Sequence, residues 1–299
     1  MQVSARTVLG PEQWGPEQTA HAARADGLTA AHRARRAAGI RHPVEDFLVD
    51  YYGLRPGRLR RWHPGVGVAL AGEDAPHDGE RWYARATSDD GPVVGLDTDA
   101  FLADRGGTVT YVRALLAATA SRPAQTGCLG LHEWAMVYRQ EDPLRRHDLP
   151  LRLGREGTDA VVESHTIRCS HIDAFRFFTP QARPLNRLQP TRDSQPELEQ
   201  PGCLHATMDL LKWSMSLGPA VPGELLLDCL ELAFDARRLD MQASPYDVSS
   251  LGEPTVAIET AEGRAEYVAR QQALADRSAP LRGRLVEVCD ALLGVAAQA

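Results

Sequence analysis

The chain has 299 residues, 43% of them hydrophobic, and a formal net charge of −7. That is enough apolar material for one large core or two modest ones, while no run approaches the ~18 consecutive apolar residues of a membrane-spanning helix. Met1 to Gly10 lacks the charged, then apolar, then small-residue order of a signal peptide, and the five cysteines (128, 169, 203, 229, 289) are widely spaced with no CxxC; both point to reduced thiols in a cytoplasm.

Trp14 to Ala38 is rich in Ala and Arg and reads as a helix. His42-Pro43 breaks it, and Val44 to Tyr52 reads as a short second helix. Over residues 20–62 nine arginines stand against four acids, a basic stretch inside an acidic chain. Arg58, Arg60 and Arg61, next to Trp62, have the pattern that tracks a phosphate backbone and stacks on a base. A solvated helical surface has the same composition.

Arg55 to Gly95 is rich in Gly, Pro and Asp and predicts irregular chain with short strands. Thr98 to Thr119 and Cys128 to Arg139 read as helices. Ala160 to Phe178 is the best strand candidate, and Pro180 to Pro201 an ordered loop. Leu204 to Leu217 and Gly223 to Met241 are strong helices. In the second, Leu225, Cys229, Leu232, Ala236 and Leu239 form one stripe, with Asp228, Glu231, Asp235 and Arg238 opposite. Ala261 to Asp276 and Pro280 to Ala297 close the chain as two further helices. The expected fold is mostly α with a small β component. It is one globular domain over 1–299, with a basic helical arm at 14–62 and a helical core at 98–299 that includes a strand near 160–175.

Four constellations carry reactive groups. If residues 161–173 are extended, Glu163, His165, Ile167, Cys169, His171 and Asp173 share one face, followed by Phe175, Phe177 and Phe178. An acid beside aromatic rings suits a pocket for a flat base; an exposed strand face followed by core aromatics is the plainer alternative. In the apolar helix at 128–139, His132 and Glu133 are a buried charged pair that must find partners or shift its titration. On the helix after Cys203, His205, Asp209 and Lys212 form a polar stripe, most simply a surface salt bridge. Asp240 to Asp247 ends the long helix at Pro245 and sets Tyr246 and Asp247 at a helix–loop junction, where site residues often lie.

Several runs together resemble a family from GC-rich bacteria labelled 3-methyladenine DNA glycosylase. They are His42-Pro-Val-Glu-Asp-Phe-Leu, Leu59-Arg-Arg-Trp-His-Pro-Gly, Asp173-Ala-Phe-Arg-Phe-Phe-Thr-Pro, Gln200-Pro-Gly-Cys-Leu-His-Ala and Asp240-Met-Gln-Ala-Ser-Pro-Tyr-Asp. The resemblance spans about residues 14 to 286. His63-Pro-Gly-Val-Gly67 superficially matches the hairpin of helix-hairpin-helix glycosylases. Ala71-Gly-Glu-Asp-Ala-Pro76 then follows where that motif needs a second helix, so the chain is not recognisable as a member of that superfamily.

The resemblance implies excision of an alkylated or bulky modified base from double-stranded DNA, in repair or anti-phage defence. Breaking the N-glycosidic bond builds positive charge on the sugar, which a nearby carboxylate stabilises. The candidates are Asp173, then Asp247, then Glu133, with His171 orienting the acid or protonating the base. Phe175, Phe178, Trp134 and Tyr246 are candidates to hold the base, Asn186 to read its edge, and Arg58, Arg60, Arg61 and Arg192 to hold phosphates. No cofactor or metal is required. Lys212, the single lysine, is expected to be solvated and a poor amine nucleophile, making the enzyme monofunctional. Two rival readings remain. One is a metal enzyme built on His165, Cys169, His171 and Asp173 with His132 and Glu133. The other is a non-catalytic protein whose basic arm binds DNA or a partner.

Overall fold

The computed structural model describes residues 6–89, 91–140 and 149–295. Eleven α-helices, three short 3-10 turns and four strands are assigned among them. In chain order the α-helices and strands are β1 (Thr7–Leu9), α1 (Pro11–Ala37), α2 (Glu45–Tyr52), α3 (Pro56–Leu59), β2 (Val68–Ala71), β3 (Tyr83–Ser88), β4 (Gly91–Leu96), α4 (Thr98–Ala120), α5 (Leu131–Ala135), α6 (Gly154–Ser164), α7 (Ile172–Phe175), α8 (Gln195–Leu198), α9 (Leu204–Leu217), α10 (Gly223–Gln242) and α11 (Ala261–Leu293). The fold is mostly α with one small sheet. No described helix is long and apolar enough to cross a membrane.

The sheet has the order β1-β2-β4-β3. β1 runs parallel to β2, with Val8 opposite Ala69. β4 pairs antiparallel with β2 (Leu70 opposite Val94) and with β3 (Arg85 opposite Val94). Its inner face, Leu70 and Val94, packs with Trp62 and Ala75.

The main core lies between α4, α9, α10 and α11. The stripe expected on α10 is buried throughout: Leu225, Cys229, Leu232, Ala236 and Leu239 are each at most 2% exposed. The acids opposite it pair outward, Asp228 with Arg24 and Arg284, and Asp235 with Arg277. These pairs bind α1 and α11 to the two flanks of α10. α1 is therefore packed onto the body, not free of it. Its buried positions His21, Ala25, Thr29 and His32 recur once per turn, and Gly223 lets it approach closely. A Cβ on Gly223 would fall 2.7 Å from His21 Nδ1.

Three expectations are corrected. The strand near 160–175 does not form. Residues 154–164 are helical (α6), 172–175 form a helical turn (α7), and only the stretch between them is extended. Its one bridge, Ile167 with Asn186, has no sheet to join, and the Asn186 side chain takes the place of a neighbouring strand. Asn186 Oδ1 accepts from Cys169 N at 2.8 Å and Nδ2 donates to Cys169 O at 2.9 Å. The helix expected over 128–139 shrinks to α5, because Leu129 and Gly130 are both left-handed (φ 49° and 70°) and set its start. The last two expected helices are one. Pro280 is on the exposed side of α11, so the carbonyl it leaves without an N–H partner can be hydrated. Buried Leu274, Ser278, Arg282 and Leu285 carry the helix past it. Residues 296–297 of the expected last helix, and 1–5 of the expected leaderless N-terminus, lie outside the described residues.

Candidate functional site: a cation-lined cleft

A cleft of about 1230 Å³ opens between the α2–α3 segment, the start of β3, α4, α7 and α9. Arg55, Arg58, Arg61, Arg81, Arg105, Arg176, Arg192 and Lys212 line it, against two carboxylates, Glu80 and Asp173. In a chain of net charge −7 that is a strong local reversal of sign. Three of its cations, Arg55, Arg58 and Arg105, have no carboxylate within salt-bridge distance among the described residues. Arg61 pairs with Glu80 and Arg81 with Asp104. Aromatic rings Tyr51, Tyr52, Trp82, Tyr83 and Phe101 also reach the cleft.

Trp82 holds a left-handed backbone, φ 65°, an unfavourable conformation for a large side chain. It is over-determined by its contacts. Its indole N–H donates to Asp104 at 2.7 Å, the Arg81 guanidinium lies 4.4 Å from the ring centroid, and Phe101 meets it edge-on at 5.2 Å. Beside it, His63, His77 and Tyr83 stack, with His63 Nδ1 2.8 Å from Tyr83 Oη. Burial pushes His63 down to about 3 and His77 to about 4, so both rings are neutral at pH 7.

On the opposite wall, α7 sets Asp173 at the floor, 6% exposed. Arg192 donates to it at 2.7 and 3.3 Å and Lys212 at 3.0 Å, with Arg176 at 3.4 Å. Burial works to raise its titration, but hydrogen bonds from Arg192 and the charge of Lys212 outweigh it and hold the carboxyl well below the ordinary range. Lys212 also donates to buried Asp209 at 3.0 Å, which accepts from Tyr52 Oη at 2.8 Å. Behind them His171, fully buried, lies 3.6 Å from Asp209 and 3.3 Å from Glu199.

Lys212 is thus not the solvated residue expected. It is partly buried between two carboxylates, which outweigh the opposing effect of burial and raise its titration. The stripe of His205, Asp209 and Lys212 is not a surface salt bridge either, since Asp209 is 2% exposed. The stripe is covered by α2, α5 and α7: Tyr52 Oη donates to Asp209, the His205 ring packs edge-on to His132, and Lys212 Nζ donates to Asp173.

Of the candidate residues, Asp173, Arg58, Arg61 and Arg192 meet in this cleft. Arg60 turns away and donates to Asp26 at 3.0 Å. Trp62 is 1% exposed and donates to Glu224 at 3.1 Å, so it offers no face to a base. Phe175 and Phe178 pack on each other in the main core, ring centroids 5.1 Å apart. Trp134 is fully buried and donates to Ala243 O at 2.9 Å. Tyr246 belongs to a small core cluster with Val44, Val137 and Met241. Asp247 accepts from the N–H and hydroxyl of Ser249, capping its own turn. Asn186 is spent on Cys169, as described above. His171 lies one layer behind the cleft.

Glu133 sits in a second buried cluster. Arg237 bridges it to Asp240, each at 2.9 Å. Asp240 also faces His132, whose Nε2 lies 2.7 Å from Oδ1, and Cys128 Sγ lies 3.5 Å from His132 Nδ1. His205 packs edge-on to His132 at 4.7 Å, and 5.4 Å from His171. Burial and the neighbouring His132 hold His205 well below its ordinary value, as a neutral imidazole. Of the metal-ligand set expected from sequence, Cys169 approaches this cluster and Asp173 faces the cleft. His165 is turned back to Val161 O at 2.8 Å.

Sequence reasoning missed Trp82, Tyr51, Arg55, Arg105 and Arg176 as cleft residues. They are scattered over about 125 positions of sequence. The one available signal was unusual chemistry in a loop, the Arg81-Trp82-Tyr83 run between glycine-rich turns. No protein-family model, curated protein or solved structure matches this chain, and its chemistry is argued from the cleft itself.

Proposed function

We propose that the protein is a monofunctional DNA glycosylase that works in the cation-lined cleft. The observation that carries this reading is a carboxylate, Asp173, held by Arg192 and Lys212 on the floor of a cleft with eight cationic side chains and several aromatic rings. Arg55, Arg58 and Arg105 supply charge for the phosphates flanking a flipped nucleotide. Trp82 and Tyr51 supply faces for an extruded base. Arg192 and Arg176 are 54% and 46% exposed, so they can swing from Asp173 to phosphate oxygens. Asp173 is then left with Lys212 as its main partner. It remains ionised and is free to stabilise positive charge developing on the sugar. Water takes the place of the departing base. Lys212, cationic between two acids, does not attack.

A second reading is favoured by one observation: in the free protein both Asp173 oxygens are engaged by cations. On that reading the carboxylate only holds the arginines in position, and the cleft binds nucleic acid without cutting the glycosidic bond. One experiment separates the two. Duplexes carrying different modified bases are incubated with the protein and treated with alkali. Strand breaks at the modified position support excision, while tight binding without breaks supports the second reading. Neither binding nor breaks would defeat both.

A further inference from the structure

We infer that His132, His205 and Asp240 form a binding site for one divalent transition-metal ion, separate from the cleft and independent of the glycosylase reading. Each residue offers a ligand atom, and these atoms all lie within 4.8 Å of one another. They come from three different helices: α5, α9 and α10. His132 is 3% exposed and Asp240 fully buried. His205 Nδ1 is buried with no hydrogen-bond partner, a state that costs free energy unless something fills it.

The surroundings are arranged as metal sites require. A ligating histidine usually hands its second ring nitrogen to a neighbour, and a ligating carboxylate is itself hydrogen-bonded. Here Cys128 Sγ stands 3.5 Å from His132 Nδ1, and Arg237 holds Asp240 Oδ2 at 2.9 Å, leaving Nε2 and Oδ1 turned to each other. Two imidazole nitrogens and one carboxylate oxygen are a borderline donor set that suits Zn²⁺, with a fourth position for water.

The contact between His132 Nε2 and Asp240 Oδ1, 2.7 Å, is a hydrogen bond. Around a tetrahedral zinc ion with ligands at about 2.0 Å, the two atoms would stand about 3.3 Å apart. Binding therefore replaces the shared proton, which leaves to solvent, and spreads the pair by about half an ångström. The ion would tie α5 to the α9–α10 pair. Because α9 also carries Lys212 and Asp209, it would stiffen the floor behind the cleft.

The test uses the full chain, purified without a metal-affinity step, stripped with chelator and titrated with Zn²⁺. A single Zn²⁺ should bind per chain and raise the melting temperature, as any ligand of the native state does. His205→Gln should weaken binding by about 100-fold or more, at or beyond the loss seen for supporting residues. His165→Gln, outside the cluster, should leave it unchanged. Co²⁺ in the unaltered chain should show tetrahedral ligand-field bands without strong thiolate charge transfer. Failure to take up Zn²⁺, or full affinity in a folded His205→Gln variant, would overturn the assignment. A thiolate-dominated Co²⁺ spectrum would also overturn it and hand the ion to the cysteines, and this readout decides even if the variant does not fold.

Discussion

Lys212 Nζ donates to Asp173 Oδ2 at 3.0 Å across 39 positions of sequence, and so joins α9 to α7 at the floor of the cleft. The only lysine of the chain is thereby used to hold a carboxylate, with Asp209 at the same distance on its other side. An amine held cationic in this way has no lone pair for attack on a sugar. Borohydride should trap no covalent protein–DNA adduct. Lys212→Ala should cost about 1–3 kcal/mol of stability in denaturant unfolding, because it leaves buried Asp209 without its cation. Lys212→Arg should recover part of that. A borohydride-trapped adduct that disappears in Lys212→Ala would move the chemistry onto α9.

Asp173→Asn should keep the fold and abolish base release. Its two arginine partners are about half exposed, so the stability loss should stay near 1–2 kcal/mol. The sign of the pH effect follows from the direction of its shift. A carboxyl held below its unfolded value stabilises the native state above about pH 4, and that contribution is lost as pH falls through the folded value. The acid limb of the stability curve should therefore be shallower in Asp173→Asn than in the unaltered chain. Full excision by the folded variant would remove Asp173 from the reaction.

Asp46, which does not line the cleft, offers a cleaner titration. Burial works to raise it, but hydrogen bonds from Arg35, His32 and the His42 N–H outweigh this and hold it at about 2 instead of 3.8. The difference corresponds to about 2 kcal/mol at neutral pH. It should be fully present above pH 4 and disappear between about pH 4 and 2. Asp46→Asn should lose that amount at pH 7 and show no such step. Equal acid limbs in the two proteins would rule this out.

Arg55, Arg58 and Arg105 replaced together by Ala should weaken binding to duplex DNA and lower the slope of log affinity against log salt. Each phosphate left without its arginine reduces that slope by about 0.9. Arg60→Ala should leave it unchanged, because that side chain is engaged with Asp26. An unaltered slope in the triple variant would show that DNA does not enter the cleft.

The tryptophans should divide by place. Trp82→Ala should weaken binding by about 1–3 kcal/mol, the value of one base–aromatic stack, with a smaller effect on folding. Trp62→Ala should instead cost about 3–5 kcal/mol of stability, as for a buried aromatic, with no change in the salt slope. The reverse pattern would place the stacking surface at Trp62.

What the sequence determined by itself was local. The apolar stripe of α10, the bounds of α9 and the predominance of helix follow from periodicity, because side chains one turn apart must share a face whatever surrounds them. Asp173 also stood out in the sequence, but through a strand face that does not form and through Phe175 and Phe178, which pack in the core and not in the cleft. Tertiary structure alone decided which groups meet. Nothing local in Lys212 distinguishes a surface lysine from one held between Asp173 and Asp209; that depends on α7 packing against α9. Trp62 and Trp82 are equally aromatic and equally near arginines in sequence, yet Glu224 on α10 draws the first inside while Asp104 and Phe101 on α4 hold the second at the cleft. Residues 165–171 alternate as a strand would, but without a neighbouring strand the extended chain is satisfied by one asparagine. Alternation specifies faces. Whether a face meets a sheet, a side chain or water is settled by long-range packing, which no short window of sequence contains.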